Sequence, residues 1–208
     1  MAGFHTFREL AQLETQESGR EKEEQIKRLI TENFRGYQDP RGLFKLLLPR
    51  EWKIQQDAVR STDGQQLTTT IVATPGEAEL SELHGYVSEG LRIIALTPRA
   101  GNVWTPAALG NWEKGVVKDL LTANPGFAHT KSERVPLPGD GRLKGEVATL
   151  HHFVGEDRRL SEPEKTVKLV LAHPEVILSI EFIAPTSKIQ MLDLMQIVTL
   201  LSFSWNGQ

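Results

Sequence analysis

From Tyr37 to Trp205 the apolar residues fall in short runs, each stopped by proline, glycine, asparagine or aspartate. Such punctuation suits strands joined by turns and leaves little room for a long helical bundle. The run Leu43-Phe44-Lys45-Leu46-Leu47-Leu48 follows a turn cluster, Gln38-Asp39-Pro40-Arg41-Gly42, and is stopped by Pro49. Trp52 to Arg60 and Leu67 to Thr74 alternate around Asp63-Gly64, a pair that favours tight hairpin turns, so they are expected to be antiparallel neighbours. Leu91 to Leu96 is a further strand signal, ended by Thr97-Pro98, while Leu80 to Val87 has no clear period and receives no assignment. Three longer runs follow, Leu143 to Val154, Thr166 to Ala172 and Val176 to Ile183. The polar loop through Gly155, Glu156 and Pro163, and the turn His173-Pro174-Glu175, predict an antiparallel meander. Leu201 to Trp205 reads as a closing edge strand.

Helical segments are fewer. Thr105-Pro106 places a capping side chain before a proline at the first helical position, and Asn124-Pro125-Gly126 writes the stop. Between them Leu109, Trp112, Val116 and Leu120 share one face, expected to cover a sheet, with Glu113, Lys114 and Lys118 toward water. Pro185-Thr186-Ser187 introduces a last helix carrying Ile189, Leu192 and Met195. Residues 4 to 34 read as helix broken near Ser18-Gly19. The first piece has a thin stripe of Phe4, Phe7, Leu10 and Leu13, and the second has Ile26, Leu29, Ile30 and Phe34 set to dock on the core. Strands outnumber helices and do not alternate with them, which predicts an α+β domain over residues 34 to 208 behind an N-terminal helical extension, residues 1 to 33.

Composition narrows the possible functions. The chain has 208 residues, 39% of them hydrophobic, enough for one substantial core. Its 24 basic and 27 acidic residues leave a formal charge of −3, so no global field draws in nucleic acid or an anionic membrane. With no cysteine, disulfides, thiolate metal sites and a cysteine nucleophile are excluded. No apolar run approaches the roughly 20 residues that span a bilayer, and no signal peptide is visible. The sequence as written therefore predicts a cytoplasmic protein. Membrane association or export is expected instead if Met1-Ala2-Gly3 marks a start from which a signal or anchor was trimmed.

Tyr37-Gln38-Asp39 followed by Gly42 to Trp52 resembles the opening of the PsbP-like superfamily, with its tyrosine, turn, glycine, apolar strand, proline and tryptophan. Val176 to Ile183, the helix after Pro185 and Leu201 to Trp205 are similar to that family's final strand, short helix and serine-phenylalanine strand. The resemblance covers about residues 34 to 205. It implies a central antiparallel sheet with helices packed on both faces, and a role in which loops and sheet face engage another protein. The superfamily includes extrinsic photosystem II subunits, a Ran-binding protein and small bacterial secretion or envelope proteins.

Standard catalytic signatures are absent, including GxSxG, GxxxxGK[ST], GxGxxG and HExxH. No enzyme and no cofactor are therefore expected. His151 and His152 are adjacent on a strand, which sends them to opposite faces and spoils a shared metal site. A loop carboxylate, Glu156 or Asp157, still leaves such a site short of ligands, so no metal is expected. His129 and His173 read as turn histidines, and Asp140 and Glu146 as solvated charges. Trp52, Trp112 and Trp205 are expected to seal the core. Trp104, on the loop Gly101-Asn102-Val103-Trp104, is the candidate anchor for a protein partner, together with Phe4, Phe7 and Leu10 of the first helical piece. The leading expectation is a non-enzymatic binding or accessory module. A secretion-associated chaperone for apolar helices and a hydrolase with an unsigned site are the alternatives.

Overall fold

The computed structural model describes residues 19–61, 64, 66–75, 89–99, 101–137, 140–156 and 163–206, with only the backbone for 19–23, 25 and 26. Along these residues run helix α1 (Gly19–Asn33) and strands β1 (Phe34–Gln38), β2 (Phe44–Pro49), β3 (Lys53–Arg60), β4 (Gln66–Thr74) and β5 (Gly90–Pro98). Helix α2 (Pro106–Ala123) follows, then β6 (Phe127–Pro136), β7 (Asp140–Gly141), β8 (Val147–Gly155), β9 (Glu164–His173) and β10 (Val176–Pro185). A 3-10 turn (Thr186–Lys188), helix α3 (Ile189–Ser202) and β11 (Ser204–Trp205) end the chain.

Seven strands form one antiparallel sheet in the order β3-β4-β5-β10-β9-β8-β6. The hairpin expected around Asp63-Gly64 is the β3–β4 pair: Gly64 adopts φ +68°, and its N–H donates to the Ser61 carbonyl. Asp63 lies outside the described residues, as does the unassigned stretch Leu80 to Val87. Strand β10 sits in the middle of the sheet and is buried along nearly its whole length, which is why its sequence, VILSIEFIAP, is almost continuously apolar.

A second sheet, β1-β2-β11-β7, was not legible in the sequence. Its members are antiparallel except for the parallel pair β11–β7. The segment read as a closing edge strand is here an interior one. Leu201 and Ser202 remain in α3, and only Ser204 and Trp205 are extended, with β2 on one side and β7 on the other. Beyond the reach of so short a strand, α3 continues the bonding with side chains. Ser202 Oγ accepts from the Leu47 N–H at 2.9 Å, and Thr199 Oγ1 donates to the Leu47 carbonyl at 3.4 Å.

The core lies between the sheets. Ile93, Leu169, Leu178, Ile180 and Phe182 face Phe44, Leu46 and Leu48 of β2, with Leu192 and Met195 of α3 among them. The Phe44 ring stacks on Phe203 at 5.8 Å and on Trp205 at 6.2 Å, which ties the chain's end to its first long apolar run. Trp52 is buried as expected. α3 packs against β2 and β10, and α2 against β9 and β6.

α2 starts and stops where its caps are written, with Thr105 Oγ1 accepting from the Ala108 N–H at 3.2 Å. Of its expected core face only Val116 is buried, while Leu109, Trp112 and Leu120 are half-buried. Trp112 is therefore not the core-sealing residue it was expected to be. Phe34 is buried but begins β1 rather than ending the helix. α1 touches β1 with Leu29 and Ile30 half-buried, and the Ile26 side chain lies outside the described residues.

Two strand assignments need correction. Phe127 to Pro136 is a strand, missed because most of its side chains are exposed and polar, so it shows no apolar alternation. The run from Leu143 to Val154 is not continuous. Leu143 is buried within a tight turn closed by hydrogen bonds between Leu137 and Glu146 and between Gly145 and Leu137, and β8 starts only at Val147.

Gly141 has φ +90°, and a Cβ built there would meet the Trp205 carbonyl oxygen at 2.3 Å. Gly141→Ala should therefore lower unfolding stability by roughly 2 kcal/mol or more. Gly36→Ala, where a Cβ meets nothing within 4 Å, should stay within about 0.5 kcal/mol of wild type. Urea unfolding of the two variants tests this, and equal midpoints would be the wrong result.

Candidate functional site

Three strands of the large sheet each carry one charged residue in the middle of an apolar run: Arg92 between Leu91 and Ile93, Lys168 between Val167 and Leu169, and Glu181 between Ile180 and Phe182. Their apolar neighbours fill the core, so strand alternation sends all three to the opposite face. The register sets them side by side, Lys168 opposite Glu181 and Glu181 opposite Arg92. The same row continues outward through His151 on β8 and Ser132 on β6.

Glu181 is 2% exposed, and both of its oxygens are used. Lys168 Nζ donates to Oε1 at 2.6 Å, while Arg92 donates to Oε2 through Nε at 2.6 Å and also through its terminal nitrogen. Burial alone would raise the Glu181 pKa, but the charges and hydrogen bonds of Lys168 and Arg92 outweigh it and hold the carboxyl below its ordinary value. The trio is thus a buried anion between two cations, with a net charge of +1.

At its outer end the row turns to hydroxyl and imidazole. Ser132 Oγ lies 2.8 Å from His151 Nδ1 and 2.8 Å from His129 Nε2. His129 and Ser132 are three residues apart and would face opposite ways on a regular strand. A β-bulge between His129 and Lys131 adds one residue and turns both to the same face. The rings of His129 and His151 are 5.6 Å apart, with Phe153 packed 5.1 Å from His129. Burial, then the neighbouring His129 and Lys168, pushes the His151 pKa down to about 4, so the ring is neutral at pH 7. With a single hydroxyl hydrogen, Ser132 can donate to only one of the two rings and accepts from the other.

His152 points to the other face, where its Nε2 lies 3.1 Å from Glu133 Oε1. The two histidines are therefore separated, as strand alternation requires. Glu156 offers its backbone N–H to the Gly126 carbonyl, and Asp157 lies outside the described residues. Among the described residues no three His, Asp or Glu side chains are grouped to hold a metal ion, and no helix is long and apolar enough to cross a membrane.

No protein-family model and no curated protein sequence matches the chain. Among solved structures it is similar to the cyanobacterial PsbP, CyanoP, of Synechocystis sp. PCC 6803. The TM-score is 0.50 and the identity 13%, over 83% of this chain and 92% of that one. The chain has a PsbP-like fold. A crystal structure from Bacteroides thetaiotaomicron is also similar, at TM-score 0.40 and 10% identity, over 83% of this chain and 48% of that one.

Within the PsbP-like fold, Trp104 is half-buried rather than held out on its loop. Its backbone N–H donates to the Pro174 carbonyl at 2.8 Å and its indole N–H to the Leu96 carbonyl at 3.3 Å, which pins the loop between two strand ends. The neighbouring Val103 is 64% exposed. Phe4, Phe7 and Leu10 lie outside the described residues. His173 satisfies a turn as expected, accepting from the Glu175 N–H at Nδ1, whereas His129 is on β6 and not in a turn. Sequence reasoning missed Arg92, Lys168, Glu181 and Ser132. A lone charge centred in each of three apolar runs was the available signal for the first three. Ser132 had none, because it depends on the bulge.

Acid should weaken the fold in two steps. His151 has its folded pKa below the unfolded value of 6.5, so its contribution is complete above pH 6.5 and is lost as the pH falls toward about 4. Glu181, also depressed, contributes above 4.5 and loses this at still lower pH. Melting temperature against pH should show the upper step in the wild type and lose it in His151→Gln. An unchanged profile in that variant would refute the assignment.

Proposed function

We propose that this chain is a non-enzymatic binding or accessory module that works by contact with another protein. The observation that carries this reading is that the polar groups of the site are spent on one another. Glu181 is bonded on both oxygens, and the Ser132 hydroxyl is shared between two imidazoles, so the polar groups described here are largely committed to one another. The PsbP-like fold supports it as an analogy of architecture. Within that architecture we read helices on both faces of the large sheet: α3 lies against the core face, and the buried Val116 of α2 is outside the core cluster.

For the partner surface we propose the end of the sheet around Trp104, where the exposed Val103 stands beside an aromatic whose polar groups are already satisfied. Such an apolar tip on a pinned loop loses little conformational freedom on binding. Phe4, Phe7 and Leu10 remain proposed as a second contact. A hydrolase reading has one observation in its favour, the Ser132 hydroxyl within hydrogen-bond reach of two imidazoles.

One experiment weighs both. The tagged full chain, wild type and Val103→Asp, is used for capture from native extract with quantitative mass spectrometry, and a fluorophosphonate is applied to the same wild-type sample. At least one protein should be retained by the wild type and reduced about tenfold or more by Val103→Asp, the loss expected when a charge is buried in an apolar contact. Ser132 should stay unlabelled. Equal retention would sink the proposed surface, and a Ser132 adduct formed only in the native chain would make the hydrolase reading the better one.

A further inference from the structure

β6 is the last strand of the seven-stranded sheet. Among the described residues no strand lies on its other side, and seven of its ten residues are exposed. An open strand edge of this length pairs readily with another strand unless its side chains prevent it. The central side chains of β6 are Lys131, Ser132 and Glu133, followed by Arg134, so a neutral or hydrophobic strand meets charge at this edge. The question is which strand would find those charges favourable.

We propose that β6 pairs antiparallel with β6 of a second copy of this chain, about a two-fold axis at Ser132, making the two seven-stranded sheets continuous. The proposal is independent of the partner surface at Val103. A two-fold axis that relates two edge strands antiparallel must stand perpendicular to the sheet, so it keeps each side chain on its own face. One residue must therefore face its own copy. Each candidate centre then makes a definite set of pairs. Centring on Lys131, Glu133 or Arg134 sets like charges directly opposite at the axis, which is destabilising. Centring on Ser132 sets Lys131 opposite the partner's Glu133 and Glu133 opposite the partner's Lys131, with two hydroxyls at the axis.

The geometry within one copy suits this register. Lys131 and Glu133 lie on the same face and already approach each other, Lys131 Nζ to Glu133 Oε2 at 2.7 Å, and both are substantially exposed. Their charges are thus presented as an alternating pair that a two-fold partner meets in reverse order. The bulge lies between His129 and Lys131, and from Lys131 to Pro136 the pairing with β8 is regular, so the residues that would pair lie in an unbroken ladder. The same charges that discourage foreign strands select a second copy of this one, which is specificity by attraction and repulsion together.

The test uses the full chain and sedimentation equilibrium across a concentration series, with thermal melts to confirm that each variant is folded. Wild type should show a reversible monomer–dimer equilibrium. Lys131→Glu and Glu133→Lys should each weaken it by about tenfold or more, since each replaces two opposite-charge pairs with two like-charge pairs. An equimolar mixture of these two variants should recover dimer as a heterodimer, because every cross-axis pair is again opposite in sign. A wild type that is monomeric throughout, or a dimer that either substitution leaves intact, would overturn the proposal, as would folded single variants whose mixture stays monomeric.

Discussion

Glu181 is the constraint on which the large sheet depends. An ionised carboxylate at the centre of the most buried strand is tolerated only where cations meet it, and removing either cation would leave one carboxylate oxygen without its bonds in a low-dielectric interior. Those cations come from the two flanking strands. Arg92 on β5 and Lys168 on β9 reach Glu181 because both stand directly opposite it in the ladder. A slip of one residue in either pairing would send the cation into the apolar core and leave Glu181 half-satisfied, so the trio specifies register as well as neutralising charge. Hydrophobic burial supplies the driving force for these strands, but their almost continuous apolar character gives it little power to choose between alignments.

The second sheet rests on a different device. β2 needs a partner along the edge opposite β1, and β11 offers only Ser204 and Trp205. Helix α3 covers the remainder by lending two hydroxyls, Thr199 and Ser202, to the backbone of Leu47. Buried backbone groups must be paired somewhere, and here a helix side chain does what a longer strand would otherwise do. The aromatic stack of Phe44, Phe203 and Trp205 then closes the space between the sheets, so the last residues of the fold are held by burial and stacking as well as by ladder bonds.

The polar row on the opposite face shows how a sheet can collect chemistry without a sequence motif. Ser132, His151, Lys168, Glu181 and Arg92 come from five strands and are far apart in sequence. They meet because register places one residue from each strand in a line, and because one bulge turns His129 toward Ser132. Much of the row's bonding capacity is used internally, which is the pattern of a set that fixes structure.

The sequence by itself determined the elements whose signals are local. The β3–β4 hairpin, strands β2, β5, β9 and β10, the capped helix α2, helix α3 and the opposition of His151 and His152 are all written in turn residues, caps and periodicity, each of which acts over a few residues. The resemblance at Tyr37 to Trp52 and at Val176 to Trp205 carried the PsbP-like fold for the same reason, since it records turn and packing chemistry. Tertiary structure decided what depends on partners distant in the chain. It made Phe127 to Pro136 a strand although its side chains lack an apolar period, split Leu143 from β8, placed β11 inside a second sheet, and left Trp112 half-buried. It also assembled Arg92, Lys168 and Glu181, visible in sequence only as separate charges, into one buried cluster. The physical reason is that propensity and capping are properties of a segment, whereas register, edge position and burial belong to pairs of segments that meet only when the whole chain has folded.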